Sequence, residues 1–241
     1  MTVDSITAVL PTFNEEAVIA DVVTRTIQAL KAADLSKYEV LVVNDGSSDG
    51  TVSALKALAQ PAVRVLSHSR NRGYGAALRS GFEAARSEAV WLMDSDGQFN
   101  PEDLRLLSEH YSDDVVVAGY RIHRRDSRLR RLYHNAFFGL VGLLFGRTTR
   151  DVNCAFKLFP RAVGVGLTSQ GAMISTELLL RAKRCGYRIV DVPVPHYPRR
   201  AGRATGARIS VVARAFWELI KLRINAKPLR TLKRPVGAPA R

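Results

Sequence analysis

Short apolar runs of strand length alternate, through the first half of the chain, with stretches whose apolar positions recur every three or four residues. Residues 6–11 (ITAVLP), 38–45 (YEVLVVND), 63–67 (VRVLS), 89–94 (AVWLMD) and 114–119 (DVVVAG) read as strands. Between them, helical patterns run from Asn14 to about residue 33, over 49–59, over 75–86 and onward from Pro101. Asn14 is placed as the first helix's N-cap, with Glu15 and Glu16 in its first turn, and Ser47 or Ser48 as the cap of the second. This βαβαβαβ order predicts an α/β fold, a doubly wound and mostly parallel sheet flanked by helices. Such sheets bind ligands beyond the carboxyl ends of their strands, where Asp45 and Asp94 both fall.

The second half breaks the pattern. A short strand is predicted at 154–159 (CAFKLF), a helix at 175–186 capped by Ser175 and stopped by Gly186, and a strand at 188–194 (RIVDVPV). A last helix is expected from about residue 207 to 225, with Ile209, Val212, Ala213, Phe216, Ile220 and Ile224 at helical spacing. That face suits a core as well as a membrane surface.

Composition and charge narrow the function classes. Of 241 residues, 46% are hydrophobic, enough for a real core, and the net charge of +14 points to anionic partners. The charge is concentrated: residues 120–150 hold eight arginines against the single acid Asp126, and seven Lys/Arg follow Glu218 with no acid. Inside the first cluster lies an apolar segment, 136–146, about half the length a spanning helix needs. The N-terminus reads as a strand rather than a signal peptide, and the distant Cys154 and Cys185 suit a reducing setting as small core residues. Helix-turn-helix, zinc and RNP-type patterns are lacking, which argues against nucleic acid as the partner.

Four stretches carry candidate chemistry. In Asp94-Ser95-Asp96, alternation puts both carboxylates on one side, facing one cation, and Gln98 can add an amide oxygen. Oxygen donors select Mg²⁺ or Mn²⁺ bridging to substrate phosphates; a polar turn with a helix cap is the plainer reading. Asp45, in VVNDGSSDGT (42–51), can accept hydrogen bonds from a base edge or ribose, or can serve an Asx-turn. The Gly-rich start at 71–81 (NRGYGAALRSG) offers backbone N–H groups to phosphate around Gly73, or close helix–sheet packing. LPTFNEE (10–16) completes the set.

Together, and in this order, the four stretches resemble the family 2 glycosyltransferases of GT-A fold, and more narrowly the dolichyl- or polyprenyl-phosphate sugar synthases. RDVNCAFKLFPR (150–161) and YRIVDVPVPHYPRRAGRATG (187–206) resemble the family's later D-x-x-x-G-F-[KR] and E-V-P-I … R-x-x-G-x-S-K segments. Departures are Phe13 for Tyr, Tyr74 where Lys is common, Ala155 for Gly, Asp191 for Glu and RATG for S-K.

The resemblance implies a nucleoside diphosphate sugar donor, UDP- or GDP-linked, and a polyprenyl or dolichyl monophosphate acceptor, with inverting transfer. Pro11, Thr12, Phe13, Glu15 and Asp45 would hold the nucleoside, with Gly73, Ser95 and Arg200 on the donor as well. Asp94, Asp96 and Gln98 would hold Mg²⁺ or Mn²⁺. Asp96, Arg121, Arg131 and Glu177 are the catalytic candidates, the arginines as forks for the acceptor phosphate and Glu177 as the acid that relatives with hydroxyl acceptors carry. His196 and the Arg199-Arg200 pair would close over the donor phosphates. Residues 1–210 form the expected GT-A domain, and 211–241 an amphipathic helix and basic, disordered tail. The basic and apolar surfaces imply peripheral attachment to the anionic cytoplasmic face of a membrane, with room for a membrane protein partner. A hydroxyl acceptor is the alternative. An apolar strand ending in D-x-D-G also resembles the haloacid dehalogenase phosphatases, but there it sits on the first strand and is followed by Thr.

Overall fold

The computed structural model describes residues 3–122, 139, 142, 146, 148–169, 171 and 173–199. Expectations for Arg131, Arg200, most of the 136–146 segment, the last helix and the basic tail lie outside the described residues. Seven strands form one sheet: β1 (Ser5–Thr12), β2 (Lys37–Asn44), β3 (Val63–Ser67), β4 (Ala89–Met93), β5 (Val115–Ile122), β6 (Phe156–Pro160) and β7 (Arg188–Pro195). Their order is β3-β2-β1-β4-β6-β5-β7. All run parallel except β6, which is antiparallel to both β4 and β5.

The helices fully within the described residues are α1 (Ile19–Ala32), α2 (Thr51–Ala57), α3 (Tyr74–Ala84), α4 (Leu104–Ser108, entered through a 3₁₀ turn), α5 (Arg161–Gly164) and α6 (Ile174–Arg184). Strands β1, β2 and β4 are apolar on both faces because both faces are covered. Ala8, Leu10, Val40, Val42 and Trp91 pack into one cluster with α1, while Val9, Leu41, Val43, Val90 and Leu92 pack into the other with α3 and α6. Gly81 lets α3 approach β1, since a Cβ there would meet Val9 Cγ1 at 2.4 Å. For that glycine the close-packing reading is the right one.

Three predicted caps do other work. Asn14 adopts φ 55° outside the helix and ties the β1 loop to the β2 loop, receiving the Ser48 N–H at 2.8 Å and donating its own N–H to Ser47 Oγ at 3.0 Å. Helix α1 therefore starts later, at Ile19. Asp49, not a serine, accepts from Thr51 N at the head of α2. Ser175 is buried in the first turn of α6, which begins one residue earlier. Gly186 ends α6 as expected, at φ 87°, with Tyr187 N donating to Ala182 O and Gly186 N to Lys183 O. Residues 154–155 do not join β6: the Cys154 and Val152 carbonyls turn inward to the amine of Lys157.

The chain runs from β1 outward through β2 to β3, then crosses back to place β4 on the other side of β1. The carboxyl ends of β1 and β4 therefore bound the switch-point crevice where such sheets hold ligands.

Candidate active site

At that crevice the structure opens a cleft of ≈ 710 Å³. Ten residues assigned to the donor or metal from sequence line it together: Pro11, Thr12, Phe13, Glu15, Asp45, Gly73, Asp94, Ser95, Asp96 and Arg199. Ser95 fastens the two sides, its hydroxyl donating to Pro11 O at 2.8 Å.

Asp45 shapes one wall. Its Oδ1 accepts from Arg72 N at 2.9 Å and lies 2.6 Å from His68 Nδ1, and its Oδ2 accepts from Gly73 N at 2.8 Å. His68 Nε2 lies 2.9 Å from Ser80 Oγ, tying this carboxylate to α3. The aspartate that sequence assigned to a nucleoside thus also folds the glycine loop beside it. Gly73 sits at φ 93°, and the space where a Cβ would stand is open. His68 escaped notice in the sequence because a lone histidine after a strand carries no motif.

The floor is acidic. Burial, with the neighbouring charge of Asp96, pushes the Asp94 carboxyl up to about 7, although the Tyr74 hydrogen bond, Arg121 and Lys157 pull the other way. Burial likewise pushes Glu15 up to about 7, against the Arg199 guanidinium, while Asp96 and Asp49 add to the rise. Glu15 is 7% exposed, and among the described residues its buried Oε2 has no hydrogen-bond partner. Arg199 reaches in from the segment after β7, donating to Glu15 Oε1 at 2.9 Å and Asp96 Oδ2 at 3.1 Å. That segment is docked by Tyr197 N donating to Gln98 O at 2.9 Å and by His196 edge-on to Phe99 at 5.0 Å.

Two carboxylates side by side at a strand end, one of them raised by burial and by the other's charge, are the donor set expected for a divalent cation. Asp94 and Asp96 could hold one. Among the described residues no cluster of three or more His, Cys, Asp or Glu side chains could hold an ion. The remaining ligands would be phosphate oxygens and water, as is usual for Mg²⁺. The Gln98 amide does not line the cleft; its Nε2 donates to Tyr197 O at 3.0 Å.

Two candidates have internal partners. The Arg121 fork is engaged by Asp151, Nε to Oδ2 at 2.7 Å and Nη2 to Oδ1 at 3.0 Å. Glu177 accepts from Thr168 N, Thr168 Oγ1 and Ser169 N, and is not part of the cleft lining. Lys157, fully buried near Asp151, Arg121 and Asp94, has its pKa lowered by that burial.

The glycosyl transferase family 2 profile matches residues 7–167, a span that contains the cleft's strand ends, the glycine loop and the acidic pair. The chain belongs to glycosyl transferase family 2. As a family 2 glycosyltransferase it is 28% identical over 236 residues to the undecaprenyl-phosphate 4-deoxy-4-formamido-L-arabinose transferase of Sodalis glossinidius, covering 96% of this chain and 71% of that protein. It is 32% identical over 177 residues to the dolichyl-phosphate beta-glucosyltransferase of Drosophila melanogaster, 65% of this chain and 54% of that protein. Its fold matches the glucosyl-3-phosphoglycerate synthase of Mycobacterium tuberculosis solved with Mn²⁺, UDP-glucose and phosphoglyceric acid. The TM-score is 0.68 at 21% identity, over 91% of this chain and 80% of that one. The GT-A architecture expected from sequence is the one observed.

Proposed function

We propose that this glycosyltransferase moves a sugar from a UDP- or GDP-linked donor to a polyprenyl or dolichyl monophosphate at a membrane surface, with inversion and with a divalent cation. The observation that carries the donor half is the acidic pair, Asp94 and Asp96, opening into the switch-point cleft, with the Asp94 carboxyl raised by burial and by its neighbour's charge. Support for the acceptor half comes from relatives named for undecaprenyl and dolichyl phosphates.

In this reading the nucleoside lies along the Pro11–Glu15 turn, against the loop that Asp45 folds. A cation held by Asp94 and Asp96 would stabilise negative charge growing on the leaving diphosphate. Arg199, which contacts Asp96 and Glu15, would turn onto the same diphosphate. A lipid phosphate is already anionic near neutral pH, so its oxygen can attack C1 without a strong base. That agrees with Glu177 being engaged in loop hydrogen bonds. Asp151 holds Arg121 in one orientation, so Arg121 would meet the acceptor through edges of its guanidinium that Asp151 does not use.

No helix among the described residues is long and apolar enough to cross a membrane. Peripheral attachment through the basic segments belongs to the same proposal.

The test is titration of UDP and GDP with and without Mn²⁺, followed by radiolabelled sugar transfer to polyprenyl phosphate. Metal-tightened nucleotide binding and a labelled lipid product are expected. Nucleotide binding indifferent to metal would overturn the donor half. A labelled product only on hydroxyl acceptors would overturn the acceptor half.

A further inference from the structure

Tyr74 is the first residue of α3 and lines the cleft. The residue is 41% exposed, yet its hydroxyl turns inward and donates to Asp94 Oδ1 at 3.0 Å. Among the described residues it is the one hydrogen-bond donor to the Asp94 carboxylate. Asp96, by contrast, is held twice, by Gln98 N at 3.1 Å and by Arg199 at 3.1 Å.

The position of Tyr74 is itself fixed. The preceding residue, Gly73, gives its N–H to Asp45 Oδ2 at 2.8 Å, and Arg72 gives its own to Oδ1. One continuous path therefore runs from Asp45 in the nucleoside wall, through the 72–74 backbone, to the phenol oxygen and on to Asp94. A carboxylate with one oxygen tied to a fixed donor keeps the other free in a defined direction.

We infer that Tyr74 is a positioning residue for the metal carboxylate: it claims Asp94 Oδ1, leaves Oδ2 for the cation, and couples the nucleoside wall to the metal. A lysine in this place would bring a charge to the donor phosphates; tyrosine instead acts on the ligand of the cation. This rests on the metal-dependent donor reading above.

The experiment is Mn²⁺ binding to the full chain, followed by Mn²⁺ electron paramagnetic resonance, in wild type and Tyr74→Phe. Whichever of UDP or GDP the wild type binds is held saturating. Phenylalanine keeps the ring and deletes only the hydroxyl, and an unchanged melting temperature would show that the fold is intact. Mn²⁺ affinity is expected to fall about 10- to 100-fold, the usual result of removing an outer partner of a metal ligand. Nucleotide affinity in EDTA is expected to stay within about two-fold, because the hydroxyl touches Asp94 and not the base wall. Unchanged or tighter Mn²⁺ binding by Tyr74→Phe would overturn the inference. So would an equal loss of nucleotide affinity in EDTA, which would mean that the hydroxyl serves the nucleotide directly. A wild-type protein that binds nucleotide without regard to Mn²⁺ would overturn the donor reading itself, and the inference with it.

Discussion

Arg199 donates to Asp96 across 3.1 Å, so a guanidinium stands on the carboxylate that a divalent cation would claim. The same nitrogen lies 2.9 Å from Glu15 Oε1. In the proposed reading arginine and metal would compete for one oxygen, and the donor diphosphate would give the displaced arginine an anionic partner. Arg199→Met should tighten Mn²⁺ binding to the nucleotide-free chain by roughly ten-fold, the worth of a charge-assisted hydrogen bond, and weaken nucleotide affinity by a similar factor. Calorimetric titration of each ligand alone would check both; parallel losses of the two would refute the rivalry.

Asp94→Asn and Asp96→Asn should each lower transfer by at least about a hundred-fold, since the charge that holds the cation is lost. Stability should move the other way for Asp94. Its carboxyl is raised from 3.8 to about 7 in the fold, so the folded state binds more protons than the unfolded one between those values. Stability is then present at low pH and lost as pH rises through the window.

The same sign holds for Glu15, raised from 4.5 to about 7. Without ligands, the protein should melt several degrees higher near pH 5 than near pH 8, on the order expected for a few kcal/mol in a domain this size. Mn²⁺ with nucleotide should shrink or reverse the difference, and Asp94→Asn should shrink it without ligands. A flat pH profile for the ligand-free protein would contradict the raised carboxyls in the cleft.

Arg121→Lys keeps the charge but leaves one oxygen of a 5%-exposed Asp151 without its fork partner. A destabilisation of about 1–3 kcal/mol is expected in urea unfolding. A cycle with Asp151→Asn should return a coupling near that size. Additive losses would show that the pair contributes nothing jointly.

Gly73 and Gly81 share one motif and should fail differently. Gly81→Ala meets Val9 Cγ1 at 2.4 Å and should destabilise the fold by about 1–3 kcal/mol with ligand affinity little changed. Gly73→Ala meets no atom but is strained at φ 93°, which displaces the N–H that Asp45 accepts. It should weaken nucleotide binding more than it lowers the melting temperature. The reverse ranking would misassign the two glycines.

The sheet was legible because β1, β2 and β4 are buried on both faces and must be written as unbroken apolar runs. Asp94 and Asp45 were legible because a charge ending such a run demands an explanation. Caps were read less well: Asn14 is an ordinary N-cap by type, but its partners Ser47 and Ser48 lie over thirty positions on, and tertiary contact overrode the local preference. The partners of Arg121 and Asp94 were hidden for the same reason. Asp151 reaches Arg121 only because β6 is inserted beside β5, and Tyr74 reaches Asp94 only because α3 starts opposite β4.

The reversed strand has a wider consequence. Met93 pairs with Phe156, so β6 begins at the end of the sheet where β4 delivers Asp94, and β5 finishes there too, at Ile122. The chain therefore leaves β5 and enters β6 at the same end of the sheet. Such an excursion can lengthen, shorten or change chemistry while every strand register stays as it is. In the proposed reading, one backwards strand would thus let the stretch that chooses the acceptor vary while the part that holds the donor stays fixed.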